Sequence, residues 1–291
     1  MEIVVGTDGS AGGDRAVRWA AREARLSGHP LRILTTVDWN WTSGRFTGGI
    51  SQRQLAEEAA ATVLADARLS ARGVAPDVVT RCEAAVGGPA SVLITAARQA
   101  VMLVVGSRGR GGFASLLLGS VGQQAAMHAP CPVTVVRGNA DMRAGPVTVG
   151  VDHGPAVADT LATAFGLAAE RHAALCVIHA YLEPGTMRGT TVPPLIFDPE
   201  RIRRDALAAL EREITPWREK FPGVPVEARV VAGDVRPVLT EASATAQLLV
   251  VGGRPGVAGA VLGSVTLRLL HHADCPVVVA HAQGFETARG S

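Results

Sequence analysis

The sequence predicts an α/β fold of two tandem, doubly wound, five-stranded parallel sheets. Three observations predict it. Short apolar runs alternate with longer segments of helical period, the chain repeats itself at a fixed offset, and 291 residues suffice for two domains that each bury a core. The repeat is the most specific of the three. A shift of 144 residues lays Gly6 and Asp8 on Gly150 and Asp152, and Gly119-Ser120-Val121 on Gly263-Ser264-Val265. It also lays His128-Ala129 on His272-Ala273 and Cys131-Pro132-Val133 on Cys275-Pro276-Val277. Such a period is far too long for a solenoid and marks a duplicated domain. The first copy is assigned to residues 1–140 and the second to 145–283, with linker composition over 138–145 and a loose tail at 284–291.

Strands are expected at 3–7, 31–37, 78–82, 102–106 and 133–137, and again at 147–151, 176–181, 226–231, 248–252 and 277–280. The first helix places Val17, Ala20, Ala21 and Ala24 on one face and stops at Gly28, with Pro30 just beyond. A second helix covers roughly 51–72, and its counterpart starts at Asp198-Pro199, a cap followed by proline at the first helical position. Parallel strands with right-handed crossovers then give a doubly wound sheet in each copy.

Composition excludes several classes. Apolar residues are 47% and charged residues 19%, as in a globular protein. The net charge of +2 is spread over both halves, so the basic footprint of a nucleic-acid binder is missing. The chain enters Glu2-Ile3-Val4-Val5 directly and has no apolar run near the ~18 residues of a membrane span, so it reads as cytoplasmic, without membrane partners. Cys82, Cys131, Cys176 and Cys275 form no CxxC pair or zinc-like cluster and read as reduced, mostly buried thiols. The only lysine is Lys220, in Arg218-Glu219-Lys220-Phe221. A Walker A loop, a protein kinase and a Schiff-base enzyme each need a lysine in a context that this one lacks.

In a doubly wound sheet, ligands bind beyond the carboxyl ends of the strands, where the strand order reverses. The first strand ends in Gly6-Thr7-Asp8-Gly9-Ser10, which puts the Asp8 carboxylate at that rim, able to accept from ribose hydroxyls or a base amine. The fourth ends in Gly106-Ser107-Arg108-Gly109-Arg110-Gly111-Gly112. Glycines let the backbone approach phosphate oxygens, and successive amides form an anion-binding nest. The loop climbs to Gly119-Ser120-Val121, expected to open a helix whose unpaired amides and dipole point at the same phosphates. Arg108 supplies countercharge; Arg110 reads more readily as solvated. Taken singly, a Gly-x-x-Gly turn is often only a turn, Asp8 or Ser120 only a helix cap, and His128, His271 and His272 residues set against a helix dipole.

Gly106, Gly109, Gly119 and Ser120 together spell Gly-x2-Gly-x9-Gly-Ser, which resembles the ATP-binding signature of the universal stress protein family. The resemblance covers essentially the whole chain as two such domains. It implies a Rossmann-like, adenine nucleotide alpha hydrolase-like sheet that binds ATP. The implied contacts are Gly6 and Asp8 for ribose, Thr36 for adenine, and Gly106, Ser107, Arg108, Gly109, Gly119, Ser120 and Val121 for phosphates. Mg²⁺ as companion stays open, since no acidic ligand set stands near either loop. The resemblance also implies self-association through the last strand of each domain, as a homodimer or as a pair formed by the two halves of one chain.

The second copy keeps Gly150 and Asp152, puts Ala180 at the adenine position, and retains Gly252, Arg254, Gly263, Ser264 and Val265. Its loop is two residues shorter, and Pro255 stands where the second glycine would be, without an N–H to give. Weaker ATP binding is expected there, the alternative being a degenerate half kept for packing. No His-x-Gly-His, Ser-Gly-Gly-x-Asp-Ser or metal-binding carboxylate cluster accompanies either loop, so no catalytic residues are assigned, and the resemblance implies a non-catalytic or very slowly hydrolysing nucleotide-dependent stress regulator, not an enzyme beyond slow ATP hydrolysis. The alternatives are a nucleotide-free dimerising scaffold and, less favoured, an ATP-pyrophosphatase-like enzyme.

Overall fold

The computed structural model describes residues 1–37, 52–109, 118–154, 156–182, 198–253 and 262–281. The first half runs β1 (Glu2–Gly6), α1 (Ala11–Ser27), β2 (Leu31–Val37), α2 (Gln52–Val74), β3 (Thr80–Val86), α3 (Pro89–Ala96), β4 (Ala100–Gly106), α4 (Ser120–His128) and β5 (Val133–Val136). The second runs β6 (Val147–Gly150), α5 (Val157–Glu170), β7 (Leu175–Tyr181), α6 (Pro199–Lys220), β8 (Val226–Ala232), α7 (Val235–Ala242), β9 (Leu248–Gly252), α8 (Ser264–His272) and β10 (Val277–Ala280).

The strand order is β3-β2-β1-β4-β5-β10-β9-β6-β7-β8, parallel within each half. The two five-stranded sheets meet where β5 and β10 pair antiparallel, with Val135 opposite Val277 and Val133 opposite Val279, so both belong to one ten-stranded sheet. Central strands such as β4 and β5 are apolar on both faces and almost wholly buried, as parallel strands between helix layers must be. Each face of the sheet carries its own core, and each core is continuous across both halves. One runs from Ile3, Val17 and Ala20 to Phe165, Leu210 and Ile214, the other from Leu34, Leu93 and Leu103 to Leu239, Leu249 and Leu269.

Helix boundaries follow their local chemistry. The Ser10 hydroxyl accepts from Gly13 N–H to start α1, and Gly28 ends it in the left-handed region at φ 71°, where a Cβ would be strained. Asp198 caps α6 and Pro199 follows at its first position. The strand expected at 78–82 lies instead at Thr80–Val86. Its residues alternate half-buried and exposed at the sheet edge, and seven-residue pairing with β2, from Leu31–Thr80 to Val37–Val86, sets its extent more than its own apolar content does. The expected tail at 284–291 lies outside the described residues.

Candidate functional site

In the first half the order β3-β2-β1-β4-β5 reverses between β1 and β4, and a cavity of about 410 Å³ opens there beyond their carboxyl ends. Its floor is Gly6, Thr7 and Asp8 after β1, with Gly106, Arg108 and Gly109 after β4. Its far side is the start of α4, Gly119, Ser120, Val121 and Gly122, and Thr36 reaches it from β2. Of the ten positions expected in this half, only Ser107 is not in the lining. It is buried behind the loop, donates its N–H to Val136 O at 3.1 Å and accepts from Gly119 N–H at 2.9 Å. Ser107 therefore ties the two ends of the glycine loop together from behind the cavity. Arg110 lies outside the described residues.

The glycines are there because backbone fills the space. A Cβ on Gly106 would sit 2.7 Å from Gly12 O, and one on Gly12 would strike Arg108 O, so the loop and the first turn of α1 pack main chain to main chain. A Cβ on Gly109 would sit 2.5 Å from Asp8 Oδ2. Asp8 is oriented by Ser10 N–H, which donates to Oδ1 at 3.0 Å. The carboxylate and the loop thus form one interlocked unit, with Asp8 turning the chain and Ser10 capping α1.

Gly119, not Ser120, is the N-cap of α4, and among the described residues no side chain bonds the helix start. The first amides, at Ser120, Val121 and Gly122, have no carbonyl one turn back to accept from them and face the cavity together with the positive end of the dipole. An anion there is worth about 0.3–1 kcal/mol at an exposed helix end and up to about 2 kcal/mol in partly buried geometry. The opposite wall is apolar: Leu34, Val105, Pro89 and Leu93. Leu93 approaches Gly6 so closely that a Cβ there would lie 2.6 Å from its Cδ1. Sequence reasoning passed over this wall, because α3 has only eight residues and little helical periodicity; Gly87-Gly88-Pro89 was the available signal, with Pro89 at the helix start.

The second half repeats the frame. Gly150 faces Leu239 of α7 as Gly6 faces Leu93, Gly154 N–H donates to Asp152 Oδ1 at 3.2 Å, and Gly263 caps α8 without a side-chain bond. Gly252, Ser264 and Val265 stand at the matching strand end and helix start, and Ala180 at the matching position of β7. Arg254 and Pro255 lie outside the described residues. Two imidazoles distinguish this half: His153, after Asp152, pairs with Glu213 at 2.9 Å, and His179 bonds Val151 O at 3.2 Å, their rings 4.4 Å apart.

His271 and His272 stand in the last turn of α8, and the carbonyls at that helix end are met by an arginine of the other half. Arg137, following β5 of the other half, donates to Leu269 O at 3.2 Å, to His271 O at 2.7 Å and to Ala273 O, and burial followed by that guanidinium lowers the His271 imidazole. His281, the residue after β10, abuts Gly253 and faces the Ala126 carbonyl of α4; burial lowers it to about 4. Burial pushes the thiols of Cys131 and Cys275 up to about 12, which leaves them inert at neutral pH, and no cysteine is paired among the described residues. Among those residues there is also no His, Cys, Asp and Glu group able to hold a metal ion, and no helix long and apolar enough to cross a membrane.

A duplicated, doubly wound α/β domain with a glycine loop and a bare helix start at its switch point defines a class of small-ligand-binding proteins. The family model of the universal stress proteins matches residues 1–137 and again 144–281, and the chain belongs to that family. A universal stress protein of Mycolicibacterium smegmatis is 35% identical over 95% of this chain and 96% of its own length. One from Mycobacterium tuberculosis is 33% identical over 96% of each. The crystal structure of a universal stress protein from Archaeoglobus fulgidus superposes with a TM-score of 0.72 at 18% identity, covering 97% of this chain and 98% of the other, and shares its fold.

Proposed function

We propose that the first half binds ATP, and that the protein acts as a nucleotide-dependent stress regulator whose occupancy, not turnover, is the signal. The observation that supports this most is convergence. The Gly106 to Gly109 loop, the uncapped start of α4 and the Asp8 carboxylate line one cavity whose remaining wall is apolar, and about 410 Å³ lies within the range of small-ligand pockets. In this reading phosphates lie on the α4 amides and the loop, Arg108 supplies countercharge, Asp8 accepts from the ribose, and the base lies between Thr36, Leu34 and Leu93. Mg²⁺ would enter with the phosphates, because among the described residues the cavity lining offers only the Asp8 carboxylate. The second half is a weaker site built on Gly150, Asp152 and Gly263. The pairing of β5 with β10 supplies within one chain the dimer-like contact that the family resemblance implies.

The test is to identify any nucleotide released when the purified protein is denatured, and then to follow ATP under single-turnover conditions. Released or tightly bound ATP with negligible turnover is the expected result. Rapid pyrophosphate or phosphate release would make the protein an enzyme, and a protein empty of nucleotide and indifferent to added ATP would make it a scaffold.

A further inference from the structure

β5 pairs with β10 in the middle of the ten-stranded sheet, so the strands at its edges are β3 and β8. The buried Glu23–Arg171 ion pair, which joins α1 to the end of α5, likewise lies inside the chain. The two edges are built differently. At β8, Pro225 stands immediately before the strand with no N–H to give, and Arg229 closes on Glu227 of its own strand at 2.6 and 2.9 Å. β3 has no proline in its seven residues, and its ladder begins one residue earlier, because Leu31 N–H donates to Val79 O at 2.9 Å. Val79 and Val86, at its two ends, are 66% and 63% exposed. Arg81 and Glu83, two apart in the strand, are exposed on one face of the sheet. Arg32 of β2 holds Glu83 through Oε2 at 2.7 Å and reaches Glu2 at 3.4 Å, whereas Arg81 has no ion pair or hydrogen bond among the described residues. The charge row Glu2, Arg32, Glu83 thus alternates in sign and ends at the sheet edge on a carboxylate.

We propose that β3 is a self-association edge, at which two copies of this chain pair antiparallel about Cys82, each Arg81 meeting Glu83 of the other copy. Residues directly opposite in an antiparallel pair share a face, so a two-fold axis can centre only on a residue. Centred on Cys82, it sets Val79 against Ala85, Thr80 against Ala84 and Arg81 against Glu83, each twice, and no like charges meet. Moved one residue, to Arg81 or to Glu83, the axis sets arginine on arginine or carboxylate on carboxylate. β8 of another copy would also arrive antiparallel, but Arg81 on Glu227 and Glu83 on Arg229 require different offsets, so no register gives both charges of β3 an opposite. The charges therefore choose a closed two-fold dimer over an open-ended sheet. Arg81 of the second copy is the cation that continues the row after Glu83. The outer amides and carbonyls of β3 gain the partners that an edge strand lacks, and Val79 is covered in the same step.

The test uses the full chain without added nucleotide, so that its failure is separate from a failure of the ATP reading. Sedimentation velocity over a concentration series should show a monomer–dimer equilibrium for the wild type. Arg81→Glu sets glutamate on glutamate at both ends of the pair, Glu83→Arg sets arginine on arginine, and each should weaken the dimer at least about tenfold. An equimolar mixture of the two variants should dimerise again, because in that heterodimer both cross-strand pairs are of opposite sign. A chain that had merely misfolded would not regain a partner in this way. Amide exchange across residues 79–85 should slow as concentration rises, while exchange in β8 stays constant. A wild type that is monomeric throughout the series would overturn the proposal, as would a dimer that neither variant weakens, variants whose mixture stays monomeric, or protection that appears in β8 instead of β3.

Discussion

Alanine at Gly109 tests the phosphate cradle at its tightest point. The new Cβ would stand 2.5 Å from Asp8 Oδ2, whereas ordinary contact begins at 3.4 Å, so the carboxylate must withdraw by about 0.9 Å. It cannot do so freely, because Oδ1 accepts from Ser10 N–H at 3.0 Å and Ser10 in turn caps α1. The bond at stake for affinity is the one that the displaced Asp8 carboxylate would accept from the nucleotide: a hydrogen bond to a charged group contributes about 1.5–3 kcal/mol, and at this partly buried rim the lower end applies. A loss of about 1.4 kcal/mol is tenfold in affinity. Isothermal titration with ATP should therefore show binding weakened at least about tenfold, while unfolding without nucleotide moves little, because Gly109 is exposed. Gly119→Ala is the contrast: its Cβ would come no nearer than 3.8 Å, to Ser107 O, so the fold should tolerate it unchanged. In an Asp8→Ala background, Gly109→Ala should cost nothing further. ATP affinity within twofold of wild type in the single Gly109→Ala variant would refute the placement of Asp8 and the loop in one site.

Two further outcomes follow from the contacts between the halves. Arg137→Gln leaves the carbonyls of Leu269, His271 and Ala273 short of a donor and should lower stability by about 1–3 kcal/mol in urea unfolding, with only partial rescue by lysine, which lacks the planar fork. His281 is held neutral by burial, so the unfolded chain takes up its proton first. Its contribution is present above about pH 6.5 and is lost as pH falls to about 4, up to about 3 kcal/mol. His281→Gln should flatten that acid limb in thermal unfolding, though not abolish it, because His29, His271 and His272 are lowered in the same sense.

How far the sequence could be read depended on how local the physics was. Ile3-Val4-Val5 and Leu103-Val104-Val105 are unbroken apolar runs, all 3% exposed or less, and such strands announce themselves. β3 is different: Arg81, Glu83 and two alanines give it little strand character, and its partner sets its limits. The glycine loop was legible because glycine spacing is a backbone requirement written directly into residue type. Leu93 was not, since an apolar residue in a short helix looks the same whether it faces a core or a cavity. Ser107 was legible in position but not in direction, as it turned out to close the loop from behind. The link of Glu23 to Arg171 and that of Arg137 to α8 span 148 and more than 130 residues, and nothing in a single sequence pairs such positions.

The antiparallel seam between β5 and β10 has a geometric outcome for any molecule that reads this protein. All strands of one half run against all strands of the other, so the carboxyl ends of the two sets emerge at opposite rims of the common sheet. The two switch points therefore open to solvent on opposite sides of the molecule. A molecule that docks over the first switch point thus leaves the second in open water.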